Sequence, residues 1–161
     1  MGGVLDTAMA VGDLTRRFAP LARVKEITVR DESGQEHVFA IRRFHSIRDF
    51  DEMGRKIEGR MAALEMGKGR LSVGIDRRMI DGLAEYFPDF EESDGGTGSI
   101  FLTTESEVVT ATHLETALES PAMTWAEAAV FTRVAGAASA LIVREFNAFN
   151  TVESRAAAKN A

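Results

Sequence analysis

The segment "VKEITVR", "DESG", "QEHVFAI", residues 24 to 41, restricts what the chain can fold into more than any other. Two β-prone runs flank a polar turn that ends in glycine, which is the pattern of a β-hairpin. Period-two alternation puts Ile27 and Val29 on one face, with Phe39 and Ile41 as companions. A lone two-stranded hairpin with an apolar face is marginal in water, so another element must cover it.

The cover follows at once. From Ser46 the apolar residues Ile47, Phe50, Met53, Ile57, Met61 and Leu64 step by three and four, drawing one stripe along a helix of about five turns. Ser46 is the expected N-cap, and Phe44 is expected to pack as a staple before it. Asp49, Asp51 and Glu52 suit the positive helix start, and Asp51 with Arg55 and Glu52 with Lys56 have ion-pair spacing. Gly67 and Gly69 end the helix. Arg42 and Arg43 finish the preceding strand and are expected to reach solvent or an acidic segment.

Further on, "LSVGIDRRMIDGLAEYF" predicts a second amphipathic helix over 75–87, with Ile75, Met79, Leu83 and Phe87 on one side. The glycine- and acid-rich stretch 88–99 reads as an exposed loop. "IFLTT" and "EVVTAT" suggest a second hairpin, although the later part could instead open a short helix through "HLETALES". "TWAE", 124–127, is a capping box that opens the longest helix, 124–149. Its stretch "AAVFTRVAGAASALIV" is apolar almost all round, which suits either the core or an oligomer contact. Ala8, Val11, Leu14 and Phe18 predict a short helix over 7–19, and 1–6 and 151–161 are expected to fray.

With 161 residues, 45% of them hydrophobic and 27% charged, the chain is long enough for one real core. It has no cysteine, which excludes disulfides, thiolate metal sites and thiol nucleophiles. The N-terminus does not have the pattern of a secretion signal, and the apolar stretch 128–143 is too short to span a membrane and contains Arg133. A cytoplasmic location is expected.

The net charge of −6 is unevenly spread. Residues 42–78 carry ten Lys or Arg against six acids, whereas 79–127 carry eleven acids and no Lys or Arg. Either the two segments face each other and solvate a surface, or the acids form a face that selects a basic partner. Nucleic-acid binding would rest on Arg42, Arg43, Arg48, Arg55, Lys56, Arg60, Lys68 and Arg70, but acids are interleaved among them. "SDGGTGS" lacks the lysine and the strand-to-helix setting of a phosphate loop. His37, His45 and His113 have no metal-ligand spacing, and neither a nucleophile elbow nor a dinucleotide fingerprint is present.

The hairpin "ITVRDESGQEHVFAI" running directly into "RRFHSIRDF" resembles the opening of phage tail-assembly chaperones. Arg42, Arg43, Ser46, Arg48 and Asp49 match that family's arginine pair, Ser or Thr position and R-D helix start. The proline that many members carry before the Ser or Thr is absent, and His45 stands there. The likeness spans residues 27–50, and nothing family-specific is recognised from Gly67 onward. It implies binding to the long, helical tail tape-measure protein in the host bacterial cytoplasm, without catalysis.

The leading reading is therefore a single α+β domain, 1–161, in which the hairpin packs on amphipathic helices, with a second hairpin and a long C-terminal helix. It is non-enzymatic and binds another protein, through Phe50, Met53, Ile57, Met61, Met79, Leu83 and Phe87 with Glu91, Glu92 and Asp94 as an acidic rim. Self-association through 124–149 is a further expectation; no cofactor, nucleic acid or membrane is expected to bind. The alternative is a small metal-dependent enzyme using His37, His45 and Asp49, with 88–99 as a lid.

Overall fold

The expected hairpin forms in the computed structural model, which describes residues 10–14, 23–44 and 46–151, but the helix that packs on both its strands is Gly136–Phe149 and not the one that follows at once, Ile47–Met66. In chain order the elements are β1 (Val24–Arg30), β2 (Glu36–Arg42), α1 (Ile47–Met66), β3 (Leu71–Asp76), β4 (Glu91–Glu92), β5 (Thr97–Leu102), α2 (Glu105–Ala117), β6 (Leu118–Ser120), α3 (Trp125–Val134) and α4 (Gly136–Phe149). Residues 10–14 are helical; the rest of the predicted 7–19 helix, and the terminal stretches 1–6 and 152–161, lie outside the described residues. This is an α+β fold with two antiparallel sheets, ordered β1-β2-β6 and β3-β5-β4.

In the first sheet Ile27 sits opposite Phe39 and Val29 opposite His37, as alternation requires. Phe39 and Ile41 are buried and Ile27 and Val29 pack against the same core. The turn is held by Asp31, whose carboxylate accepts from the backbone N–H groups of Ser33 at 2.9 Å and Gln35 at 3.0 Å. Gly34 takes φ 86°, a left-handed conformation that suits glycine.

α1 starts as predicted, with Ser46 Oγ accepting from the Asp49 N–H at 3.4 Å. Met53 and Leu64 are buried and Phe50, Ile57 and Met61 half-buried, whereas Ile47 is 80% exposed and does not join the stripe. The predicted pairs within α1 are replaced: Glu52 accepts from Arg48 at 3.0 Å, and Lys56 reaches across to Glu115 at 3.4 Å.

Three predicted elements are corrected. Residues 75–87 are not a helix but the end of β3 followed by 3₁₀ turns at Arg77–Met79 and Ala84–Tyr86. Leu71, Val73 and Ile75 alternate with Ser72, Gly74 and Asp76, and the period of two prevails because β5 is there to pair with. The stretch 88–99 is mostly exposed, as expected, but Glu91–Glu92 and the start of β5 in it are strands of the second sheet, with Glu91 opposite Ser99. Of the two forms expected for "EVVTAT" the helix is the one adopted, since Thr104 and Glu107 form a reciprocal capping box that opens α2.

The third correction is the C-terminal helix, which breaks at Ala135 into α3 and α4, bent by 118°. A straight helix from 125 to 149 would run about 37 Å; the break folds it back so that both halves contribute buried residues to the core. Ala128, Ala129 and Val130 pack on one side of the bend, and Ile142, Phe146 and Phe149 on the other. No single helix among the described residues is long and apolar enough to cross a membrane. α2 is the central element: Val108, Ala111, Leu114 and Ala117 are buried, and it packs against α1, α3 and α4.

Candidate functional site

The bend at Ala135 leaves a corner that the rest of the chain does not fill. Between that corner and the tip of the first hairpin lies an open cleft of about 640 Å³. Its apolar lining comes from three separated segments: Val29 and Phe39 on the hairpin, Tyr86, and Phe131 and Val134 at the end of α3. The Phe39 and Phe131 rings meet at 6.0 Å between centroids, tilted by 55°, so two aromatic rings from different elements share the lining. Ala135, Gly136, Ala137 and Ala138 make the opposite wall, and a side-chain carbon added at Gly136 would meet nothing within 4 Å. Another chain could therefore approach this wall closely.

The polar part of the lining belongs to the hairpin turn. His37 Nε2 and Asp31 Oδ2 are 2.8 Å apart, and Ser33 Oγ donates to the other carboxylate oxygen at 2.6 Å. Those bonds, with the turn N–H groups, hold the Asp31 carboxyl well below the usual carboxylate range, so it is charged at any ordinary pH. Arg30 is engaged by Glu36 at 3.1 Å, whereas Glu32 has no ion-pair partner among the described residues.

The far edge is held in place by Arg133. Its guanidinium donates to both Asp89 carboxylate oxygens at 2.9 and 3.0 Å, to the Phe101 carbonyl at 3.1 Å and to the Tyr86 carbonyl at 2.8 Å. It also lies 4.9 Å from the Phe87 ring centroid. One cation thus ties α3 to the segment that carries Tyr86, which is 40% exposed beside the cleft.

The residues expected to bind a partner lie elsewhere. Met53 and Phe87 are buried, and Phe50, Ile57, Met61, Met79 and Leu83 pack against the core, so their stripes serve the fold. Glu91 and Glu92 are exposed on β4 but engage Arg70 at 3.2 Å and Arg77 at 2.5 Å. Asp94 is exposed in a 3₁₀ turn. The charge asymmetry therefore resolves largely into pairing: Lys56 and Arg60 on Glu115, Arg70 on Glu91, Arg77 on Glu92 and Arg42 on Glu119 all join the basic segment to the acidic one.

Of the residues proposed for a metal, His37 is committed to Asp31, Asp49 lies at the start of α1, and His45 lies outside the described residues. Among the described residues no group of three His, Asp or Glu is placed to hold a metal ion. His113 is buried; its Nδ1 lies 2.8 Å from the Val109 carbonyl, which can only accept, so that nitrogen carries the proton.

The joint at "RRF" also differs from expectation. Arg43 is not at the surface: it is 5% exposed, stacks 3.9 Å from the Phe149 ring centroid and donates to the Phe149 carbonyl at 3.1 Å. Phe44 does pack as a staple, edge-on to Phe50 at 5.0 Å and to Phe146 at 4.9 Å. These residues build structure and do not reach the cleft.

Comparison with known proteins adds nothing to this geometry: no family model, no curated protein and no solved structure matches the chain.

Proposed function

We propose that this chain works by binding another protein, in the manner of the phage tail-assembly chaperones whose opening its residues 27–50 resemble. The observation that supports binding is the cleft. Its lining is aromatic and aliphatic, its volume of about 640 Å³ lies in the range of recognition pockets, and its polar groups sit together at the hairpin turn. A wall of glycine and alanine favours a macromolecular occupant, because it admits a partner backbone that larger side chains would hold off. Under the resemblance, that partner would be the tape-measure protein.

Co-expression with candidate tape-measure segments, followed by size exclusion at low salt, tests this. The wild-type chain is expected to co-elute with a segment. Gly136→Trp, at a position with open space around it, is expected to abolish co-elution while leaving the thermal midpoint within about 2 °C. A complex that survives Gly136→Trp would mean the cleft is not the docking surface.

A further inference from the structure

The cleft is not electrically neutral, and its charge points to the kind of partner it takes. Asp31 is fixed as a carboxylate by its turn hydrogen bonds, and Glu32 beside it has no ion-pair partner among the described residues. Arg30, the one Lys or Arg in the lining, is engaged by Glu36, and His37 lies 2.8 Å from Asp31, which leaves Glu32 as the carboxylate without a partner among the described residues. An apolar trough between Phe39, Phe131 and Val134 is therefore bordered on the hairpin side by negative charge, opposite a wall at Gly136 that permits close approach.

We propose, resting on the protein-binding reading above, that the cleft takes a basic amphipathic helix of its partner. The helix would seat apolar side chains at i and i+3 or i+4 over Phe131 and Val134, with a Lys or Arg on its flank facing Asp31 and Glu32. An acidic flank would meet like charge at the hairpin turn and be rejected. That rejection gives the site selectivity that its apolar trough alone lacks.

Designed peptides test the proposal directly. Two helices of about 18 residues, long enough to be partly helical in water, share one leucine stripe and differ only in Lys or Glu at the flanking positions. Affinity is read by fluorescence anisotropy, and the contact by amide NMR shifts at Phe39, Val134 and Gly136. The Lys-flanked helix is expected to bind about tenfold more tightly than the Glu-flanked one at low salt, a preference that shrinks as salt is raised. Glu32→Lys should remove or reverse that preference without abolishing binding, because Glu32 is exposed and holds no ion pair among the described residues. Equal affinity for both helices, with shifts at the cleft, overturns the charge assignment and leaves the protein-binding reading standing. If neither helix binds while a small apolar dye shifts the same amides, both readings fall and the cleft is a small-molecule pocket.

Discussion

Asn150 makes three hydrogen bonds with one side chain: its Oδ1 accepts from the Phe44 N–H at 2.7 Å, and its Nδ2 donates to the carbonyls of Arg42 at 3.1 Å and Phe146 at 3.1 Å. Asn150→Ala leaves a buried backbone N–H without its acceptor, at a cost of about 1–3 kcal/mol. A lower urea midpoint at unchanged slope is the expected result. His113 gives a pH dependence whose sign is fixed. Burial holds its imidazole below the ordinary histidine range in the fold, while the unfolded chain takes up the proton near pH 6.5. Stability is therefore full above about pH 6.5 and declines below it, as the unfolded state gains a proton the native state refuses. Urea midpoints between about pH 5 and 7 should show that slope, and His113→Gln should flatten it. Arg133→Met leaves Asp89 and two carbonyls without their donor and should cost about 2 kcal/mol, discounted for the partial exposure of both charges. Combined with Asp89→Asn, the loss should be less than additive in a double-mutant cycle.

At the scale of elements, the parts legible from sequence were those whose signal is local. The first hairpin carries its own turn chemistry in Asp31 and Gly34, and α1 and α3 announce themselves through Ser46 and the Thr124 capping box. Where the signal is shared between two periods, the sequence misled: Ile75, Met79 and Leu83 fit a helix stripe, but Leu71, Val73 and Ile75 fit a strand, and β5 decides. α2 carries a local mark that decides between the hairpin and the helix "EVVTAT" allows, since Thr104 and Glu107 are spaced like Thr124 and Glu127. The elbow at Ala135 had almost none, because what bends the chain is two separate surfaces waiting to be covered. The cleft was illegible for the same reason: residues 29–39, Tyr86 and 131–138 come together only once that bend is made. Close packing within the second sheet gives a further prediction. A side-chain carbon added at Gly98 would lie 2.5 Å from the Phe90 ring and the Glu91 carbonyl, so Gly98→Ala should displace β4 and cost about 1–3 kcal/mol by chemical denaturation.

Across the whole molecule, the uneven charge of the sequence turns out to be a cross-brace. Arg60 donates to Glu115 at 2.8 and 3.2 Å and to Thr112 at 3.1 Å, and its guanidinium lies 3.6 Å from the ring of Trp125, the chain's only tryptophan. Burial alone would raise the Glu115 carboxyl, but its hydrogen bond to Arg60 and the charges of Arg60 and Lys56 prevail and hold it below the usual range. Its contribution is thus complete above about pH 4.5 and is lost as pH falls through the lowered native value. Trp125 emission, followed through acid titration, should report that loss, and Glu115→Gln should destabilise by about 1–2 kcal/mol at neutral pH. The clasp between Phe44 and Asn150 has a consequence in time as well as in energy. It joins positions 106 residues apart, so the first hairpin cannot be locked to its neighbour until almost all of the described chain has been made. The N-terminal strands must therefore wait, with their apolar face uncovered, for the last helix. Assembly should be slow for a chain so rich in helix, and most prone to aggregation during that interval.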